Sequence, residues 1–207
     1  TYTESKGLIF FASPFDKKSI HLLNENGVLV YKWASSETTN LKNLRIAASY
    51  NKPMIISTGM CDLADIYEAL EVCKATGNND IVLLHTSSLY PTEPDDANLN
   101  TMKTINKIFQ VHVGFSDHTM SSTAAIVAVA LGATVIEKHI TLDKKMKGPD
   151  QKISLSPDEL SELVIGCNAI KHAMGNTKTI LPDEKPVMKF ARESVVSINN
   201  ILAGEIF

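Results

Sequence analysis

Two histidines stand out by the company they keep. His118 lies in "VGFSDHT" (113–119), and His139 ends "VIEKH" (135–139). Each follows a polar residue by two positions: Ser116 before His118, and Glu137 before His139. Residues two apart on a strand share a face. Neighbouring strands lie about 4.8 Å apart, so two imidazoles at adjacent strand ends can share one divalent metal. Two nitrogen donors leave positions for water and substrate, which suits a catalytic ion better than a structural one. The bland alternative is that each histidine closes a strand end by hydrogen bonding. Spacing leaves both open. Asp117 falls on the opposite face by alternation, where it is expected to support the motif rather than act as a third ligand.

Other residues offer chemistry at similar places. Lys32, in "YKWASSETTN" (31–40), can form a Schiff base, bind an anion, or lie along the surface with its head in water. Glu37 follows in the loop or first helical turn, as a general base or as an acid favoured by a helix N-terminus. Ser13, Ser35, Ser57 and Ser116 all fall at ends of apolar runs and together make a plausible set of phosphate or carboxylate donors. "ISTGM" (56–60) adds backbone donors before a helix. There is no GxGxxG or P-loop to support nucleotide binding. A stiff loop holds Tyr90-Pro91 and Pro94, and a polar one (143–154) brings Asp150 as a candidate substrate contact. Either loop can equally be a solvated connector.

The elements that must position these residues are legible from hydrophobic runs. Six runs, at 8–13, 28–35, 54–58, 81–87, 111–116 and 134–139, are short, nearly continuous and rich in β-branched or aromatic residues. Such runs suit a parallel sheet covered by helices. Helical patterns lie between them, with caps expected at Asp62, Asn98, Ser122 and Ser156. The last is the clearest, with Pro157 at the first helical position and Glu159 completing a capping box. Polar residues end nearly every strand, including His85 and Ser87. An open sheet gathers ligand groups at one switch point, whereas a (β/α)8 barrel brings all strand ends to one mouth. The expected fold is therefore α/β, a TIM barrel, with six of its strands here.

The bulk numbers agree. The 207 residues are 44% hydrophobic and 21% charged, with net charge −3, a soluble globular composition. No basic stripe points to nucleic acid, and no apolar run of about 18 residues or signal peptide points to a membrane. Cys61, Cys73 and Cys167 lack metal or redox spacing, consistent with free thiols in the cytoplasm.

In order along the chain, "SPFD" (13–16), "YKWASSETTN", "ISTGM", "HTSSLYPT" (85–92), "GFSDHT" (114–119), "IEKHITLD" (136–143) and "GPD" (148–150) resemble the sialic acid synthase family: the N-acetylneuraminate synthases and the legionaminic and pseudaminic acid synthases. "SDHT" and "EKHxTLD" are the specific matches. The resemblance implies a fragment covering about strands three to eight of the barrel over 1–176. A linker (177–190) and the beginning of a β-rich antifreeze-like domain (191–207) follow. It implies a transferase that condenses phosphoenolpyruvate with N-acetylmannosamine, giving N-acetylneuraminate and phosphate by C–O cleavage. A diacetamido-trideoxy hexose is the alternative sugar. His118 and His139 are then metal ligands, for Mn²⁺ or alternatively Mg²⁺ or Co²⁺. Lys32 and Glu37 are catalytic, and Ser13, Ser35, Ser57 and Ser116 contact phosphoenolpyruvate. Ser88, Tyr90 and Asp150 face the sugar. The full-length protein is expected to be a domain-swapped homodimer. Ser88, where many members have Asn, and Gln151, where many have His, leave the sugar as the open question, as do Ser36 and Trp33 beside Glu37. Two other functional classes remain: an aldolase forming a Schiff base through Lys32, and an inactive structural fragment.

Overall fold

Apolar runs become strands here where a neighbour completes their hydrogen bonds. The structure, a computed structural model, describes residues 2–206. Helices α1 (Tyr2–Ser5) and α2 (Lys17–Glu25) precede a sheet of five parallel strands: β1 (Tyr31–Trp33), β2 (Met54–Ser57), β3 (Ile81–His85), β4 (His112–Asp117) and β5 (Ile136–Lys138). Each parallel pair needs a crossover. Helices α3 (Leu41–Ala48), α4 (Leu63–Lys74), α5 (Thr101–Phe109) and α6 (Thr123–Ala130) supply them, and α7 (Pro157–Ala173) follows β5. The strand order is sequential, β1-β2-β3-β4-β5. A doubly wound sheet would reverse its order at a switch point; a half-barrel does not.

The sixth expected strand, 8–13, does not form. No ladder joins it to β1, and Leu8, Ile9 and Phe10 are 62%, 60% and 50% exposed. Each backbone N–H and C=O must find a partner, and the Leu8 N–H finds the Thr3 carbonyl instead of a strand (3.2 Å).

The remaining elements follow local chemistry closely. Asp62 and Ser156 cap α4 and α7 with reciprocal boxes to Asp65 and Glu159. Asn98 does not cap α5. It takes a left-handed φ of 45° in the preceding turn, and the helix begins at Thr101. Ser122 stands at the start of α6 without a side-chain cap bond.

Alternation along each strand sorts the side chains. Tyr31, Trp33, Met54, Ile56, Leu83 and Phe115 pack with Leu44, Leu70, Met102 and Ile105 of the helices into the main core. Burying each such aliphatic or aromatic side chain contributes about 1.5–3 kcal/mol. The intervening residues, among them Lys32, Ser57, Ser116 and Glu137, take the other face. His85 belongs to the helix side. Its Nε2 donates to the Ala97 carbonyl (2.9 Å), and its ring stacks on Phe115.

The chain divides into two compact units, the first ending at Met174 and the second starting at Gly175. In the second, α8 (Glu184–Ala191) occupies part of the stretch expected as a linker, with the Glu184 carboxylate accepting from the Leu181 N–H (2.7 Å). No strand forms among the described residues of that unit.

Gly114 lets β4 sit tightly between its neighbours. A Cβ there would lie 2.4 Å from the Val135 carbonyl oxygen and 2.6 Å from Leu84. Gly114→Ala is expected to cost about 1–3 kcal/mol, seen as a lower urea midpoint at unchanged slope. An unchanged midpoint would show that β5 yields freely. His85 generates a pH prediction. Burial holds it below its ordinary 6.5, against a smaller raising effect of the Ala97 carbonyl. The unfolded chain therefore takes up this proton first as pH falls. The stability is fully present above about 6.5 and is lost as pH drops through the lowered folded value. His85→Gln keeps a donor for Ala97 without the charge. Its stability should fall less steeply than wild type between about pH 7 and pH 5 in denaturant titrations.

Candidate active site at the strand ends

The site is built from the parallel register of β4 and β5. Ser116 pairs with Glu137, and Asp117 with Lys138. One step further the same register sets His118 beside His139, with ring centroids 5.3 Å apart. The two strands thus carry matched pairs. Ser116 donates to the Glu137 carboxylate (2.7 Å) on the cavity side. Asp117 and Lys138 form an ion pair at 2.8 Å on the other side, both almost wholly buried.

Around these pairs lies a cavity of about 490 Å³. Ser13, Lys32, Ser35, Ser57, Ser88, Tyr90, Ser116, His118 and His139 line it, together with Glu137, Phe15 and Met60. Nine sequence-selected residues therefore meet, although the chain separates Ser13 from His139 by most of the first unit. Ser13 reaches the wall even though its segment forms no strand. A larger groove between α6 and α7, about 840 Å³, has walls such as Val129, Leu160 and Val164 and lies away from this polar cluster.

Lys32 is 8% exposed. Its ammonium donates to Ser57 Oγ (2.7 Å) and the Trp33 carbonyl (3.1 Å), and stands 3.4 Å from Glu137. Burial pulls its pKa down, and the Glu137 charge and hydrogen bond push it back up. The ammonium is thus buried with Glu137 as its carboxylate partner. The Ser35 hydroxyl accepts from the Gly59 N–H (3.0 Å), and a Cβ on Gly59 would collide with Ser35 and Ser88. Glycine is needed there for close approach, not for its φ.

His118 has a defined tautomer. Its Nδ1 lies 2.9 Å from the Ser87 carbonyl, with Thr86 Oγ1 at 3.2 Å. A carbonyl only accepts, so Nδ1 carries the proton and Nε2 keeps its lone pair. Burial lowers the His118 pKa; the Ser87 bond opposes this and His139 adds to it. The neutral form, the one able to ligate, is thereby favoured. Tyr90 tilts over His118 at 4.2 Å and meets His139 edge-on at 5.8 Å. Its loop is pinned by the Thr92 N–H donating to the His118 carbonyl (3.0 Å). Burial raises the Tyr90 pKa, helped by Asp150 and Glu137.

Two sequence-selected residues stand apart from the cavity lining. Glu37 sits in a 3₁₀ turn (Ser35–Glu37), where Asn40 donates to its carboxylate (2.9 Å) and Trp33 Nε1 donates to its carbonyl (2.8 Å). Asp150 comes in from the loop after β5, its carboxylate 3.7 Å from His139 Nδ1. Conversely, Glu137 is a site residue that sequence reasoning used only as a strand-end marker. Its i,i+2 relation to His139 was the available signal. No group of three or more His, Cys, Asp or Glu side chains poised to hold a metal occurs among the described residues. The nitrogen donors present are His118 and His139.

The family model that matches residues 1–179 is that of the NeuB family. The chain is 43% identical over 203 residues to the N,N'-diacetyllegionaminic acid synthase of Campylobacter jejuni, covering 97% of this chain and 61% of that one. It is 36% identical to the N-acetylneuraminate-9-phosphate synthase of Mus musculus, covering 99% of this chain and 57% of that one. Among solved structures, the N-acetylneuraminic acid synthetase of Leptospira borgpetersenii in complex with citrate matches with TM-score 0.83 and 33% identity, over 91% of this chain and 66% of that one. The chain thus spans about 60% of the length of these curated relatives. On this sequence and this fold, the chain belongs to the NeuB family.

Proposed function

We propose that the intact protein condenses phosphoenolpyruvate with an N-acetylated amino sugar and releases phosphate. The carrying observation is one cavity holding both a Lys-and-Ser anion site and a pair of facing imidazoles. The five strands are read as part of a (β/α)8 barrel, followed by the start of an antifreeze-like domain, in a cytoplasmic, domain-swapped homodimer.

Lys32 with Ser13, Ser35, Ser57 and Ser116 would hold the phosphate and carboxylate, fixing C3 of phosphoenolpyruvate toward the sugar carbonyl. His118 and His139 fit a divalent ion, Mn²⁺ first and Mg²⁺ or Co²⁺ as alternatives, which would supply Lewis acidity at that carbonyl oxygen. The new C–C bond leaves positive charge at C2, where water adds. Glu37 is proposed to take the proton from that water, which requires its carboxylate to turn away from Asn40. The C2 hydroxyl then gives up its proton and closes to the ketone as the C2–O bond to phosphate breaks, phosphate departing with the electron pair, and the former aldehyde oxygen takes up a proton to become a hydroxyl. Ser88, Tyr90 and Asp150 would face the sugar. N-Acetylmannosamine gives N-acetylneuraminate, and a diacetamido-trideoxy hexose gives legionaminic or pseudaminic acid. Identities of 43% to the Campylobacter jejuni legionaminic acid synthase and 36% to the mouse N-acetylneuraminate-9-phosphate synthase keep the diacetamido sugar beside N-acetylmannosamine as a substrate to test.

Phosphate release by the intact protein with phosphoenolpyruvate and Mn²⁺, across those sugars, tests the reaction and ranks the substrates. His118→Ala should lower turnover roughly 10²-fold or more; normal turnover would sink its assignment as a ligand. Borohydride with pyruvate should trap no adduct, since the Lys32 amine acts as a charge and not as a nucleophile. Glu137 supplies a further check. Its carboxylate engages Lys32 and Ser116 and so competes with a substrate anion for both. Glu137→Gln should tighten inorganic phosphate binding by about tenfold in calorimetry, and weaker binding would show that Glu137 helps hold the anion.

A further inference from the structure

Lys138 is a buried lysine for which the proposed chemistry has no direct use. Its side chain is 2% exposed. An ammonium has three protons, and here each has an acceptor: the Asp117 carboxylate at 2.8 Å, the Thr119 carbonyl, and the Ser121 carbonyl at 3.1 Å. The other Asp117 oxygen accepts from the Thr119 N–H at 2.8 Å. One side chain of β5 thus gathers the turn that follows β4, which begins with His118.

The pattern is more than a filled core. Asp117 and Lys138 are register partners, and each is the chain neighbour of one histidine of the pair. On a strand the neighbour points to the opposite face, so the ion pair lies behind the cavity and touches neither substrate nor reacting atoms. From there it fixes two things. It locks β4 to β5 at the step just before the histidines, and it prevents the 117–121 turn from carrying His118 away from His139. Simple burial would be served as well by two apolar side chains of similar volume, and often better, because a buried ion pair gains little over such a pair. The bonds to two loop carbonyls have no apolar equivalent.

We infer that Asp117 and Lys138 form a clamp that sets the spacing of His118 and His139, making Lys138 a positioning residue for divalent metal binding. This rests on the proposed metal role of the two histidines. The test uses the intact protein and Mn²⁺ alone, read by calorimetry or by loss of the free-ion electron paramagnetic resonance signal. The double variant Asp117→Val/Lys138→Met removes both charges together with a smaller change of volume. It should retain the wild-type far-UV spectrum and a cooperative melt, at a lower temperature because the Thr119 N–H and two loop carbonyls lose their partners, while Mn²⁺ binds 10- to 100-fold more weakly, the range for groups that orient metal ligands. Asp117→Asn, which keeps an acceptor for the Thr119 N–H, should fall between the two. A folded double variant that binds Mn²⁺ as tightly as wild type overturns the clamp and leaves the histidine assignment standing. A double variant that does not fold, with Asp117→Asn folded and binding normally, also overturns it, since the pair then serves stability alone. A wild type that takes up no Mn²⁺ overturns the histidine assignment and the clamp with it.

Discussion

The parallel register between β4 and β5 is the constraint on which the site depends. It is set where Gly114 removes the side chain that would strike the Val135 carbonyl, allowing the two backbones to close. From that point a single alignment carries three consequences: Ser116 bonds to Glu137, Asp117 pairs with Lys138, and His118 faces His139. A slip of one residue would send every one of these side chains to the wrong face. The two faces have different duties. Charge behind the sheet is fully paired and buried, whereas charge in front is left partly open to a ligand.

That front face holds a buried cation within an acidic chain. Net charge is −3, but Lys32 is buried among hydroxyls and shares its one carboxylate partner with Ser116. A low-dielectric wall strengthens whatever charges remain inside it. The free site is therefore nearly neutral and internally bonded. On the proposed function, an incoming anion would have to displace Glu137 from Lys32 and Ser116, and its affinity would depend on a difference between two sets of charge-assisted bonds.

The histidines divide by the same logic of faces. His85 and His118 are both buried and both held as neutral rings. His85 spends its one donor on the Ala97 carbonyl and packs on Phe115 among core residues. His118 spends its Nδ1 proton on the Ser87 carbonyl and keeps Nε2 available beside His139 and Tyr90. Similar burial thus accompanies different surroundings, and what differs is the direction of the second nitrogen.

Period-two alternation and the spacing of apolar runs were enough to reveal parallel βα units, the α4 and α7 caps, and the polar strand ends that converge on one cavity. Those features are local: they depend on which side a residue points to and on which groups its own neighbours leave unsatisfied. The same sequence suggested a strand at 8–13, but no ladder joins that run to the open edge of β1, and it placed a cap at Asn98 that backbone geometry moved. Only tertiary structure decided that Glu137 bridges Lys32 and Ser116 in the cavity wall, that Glu37 rests against Asn40, and that Lys138 holds three acceptors of the β4 turn. Each of those depends on distances across strands and loops. Spacing along one strand carries no record of them, because the register that creates them is a property of two strands together.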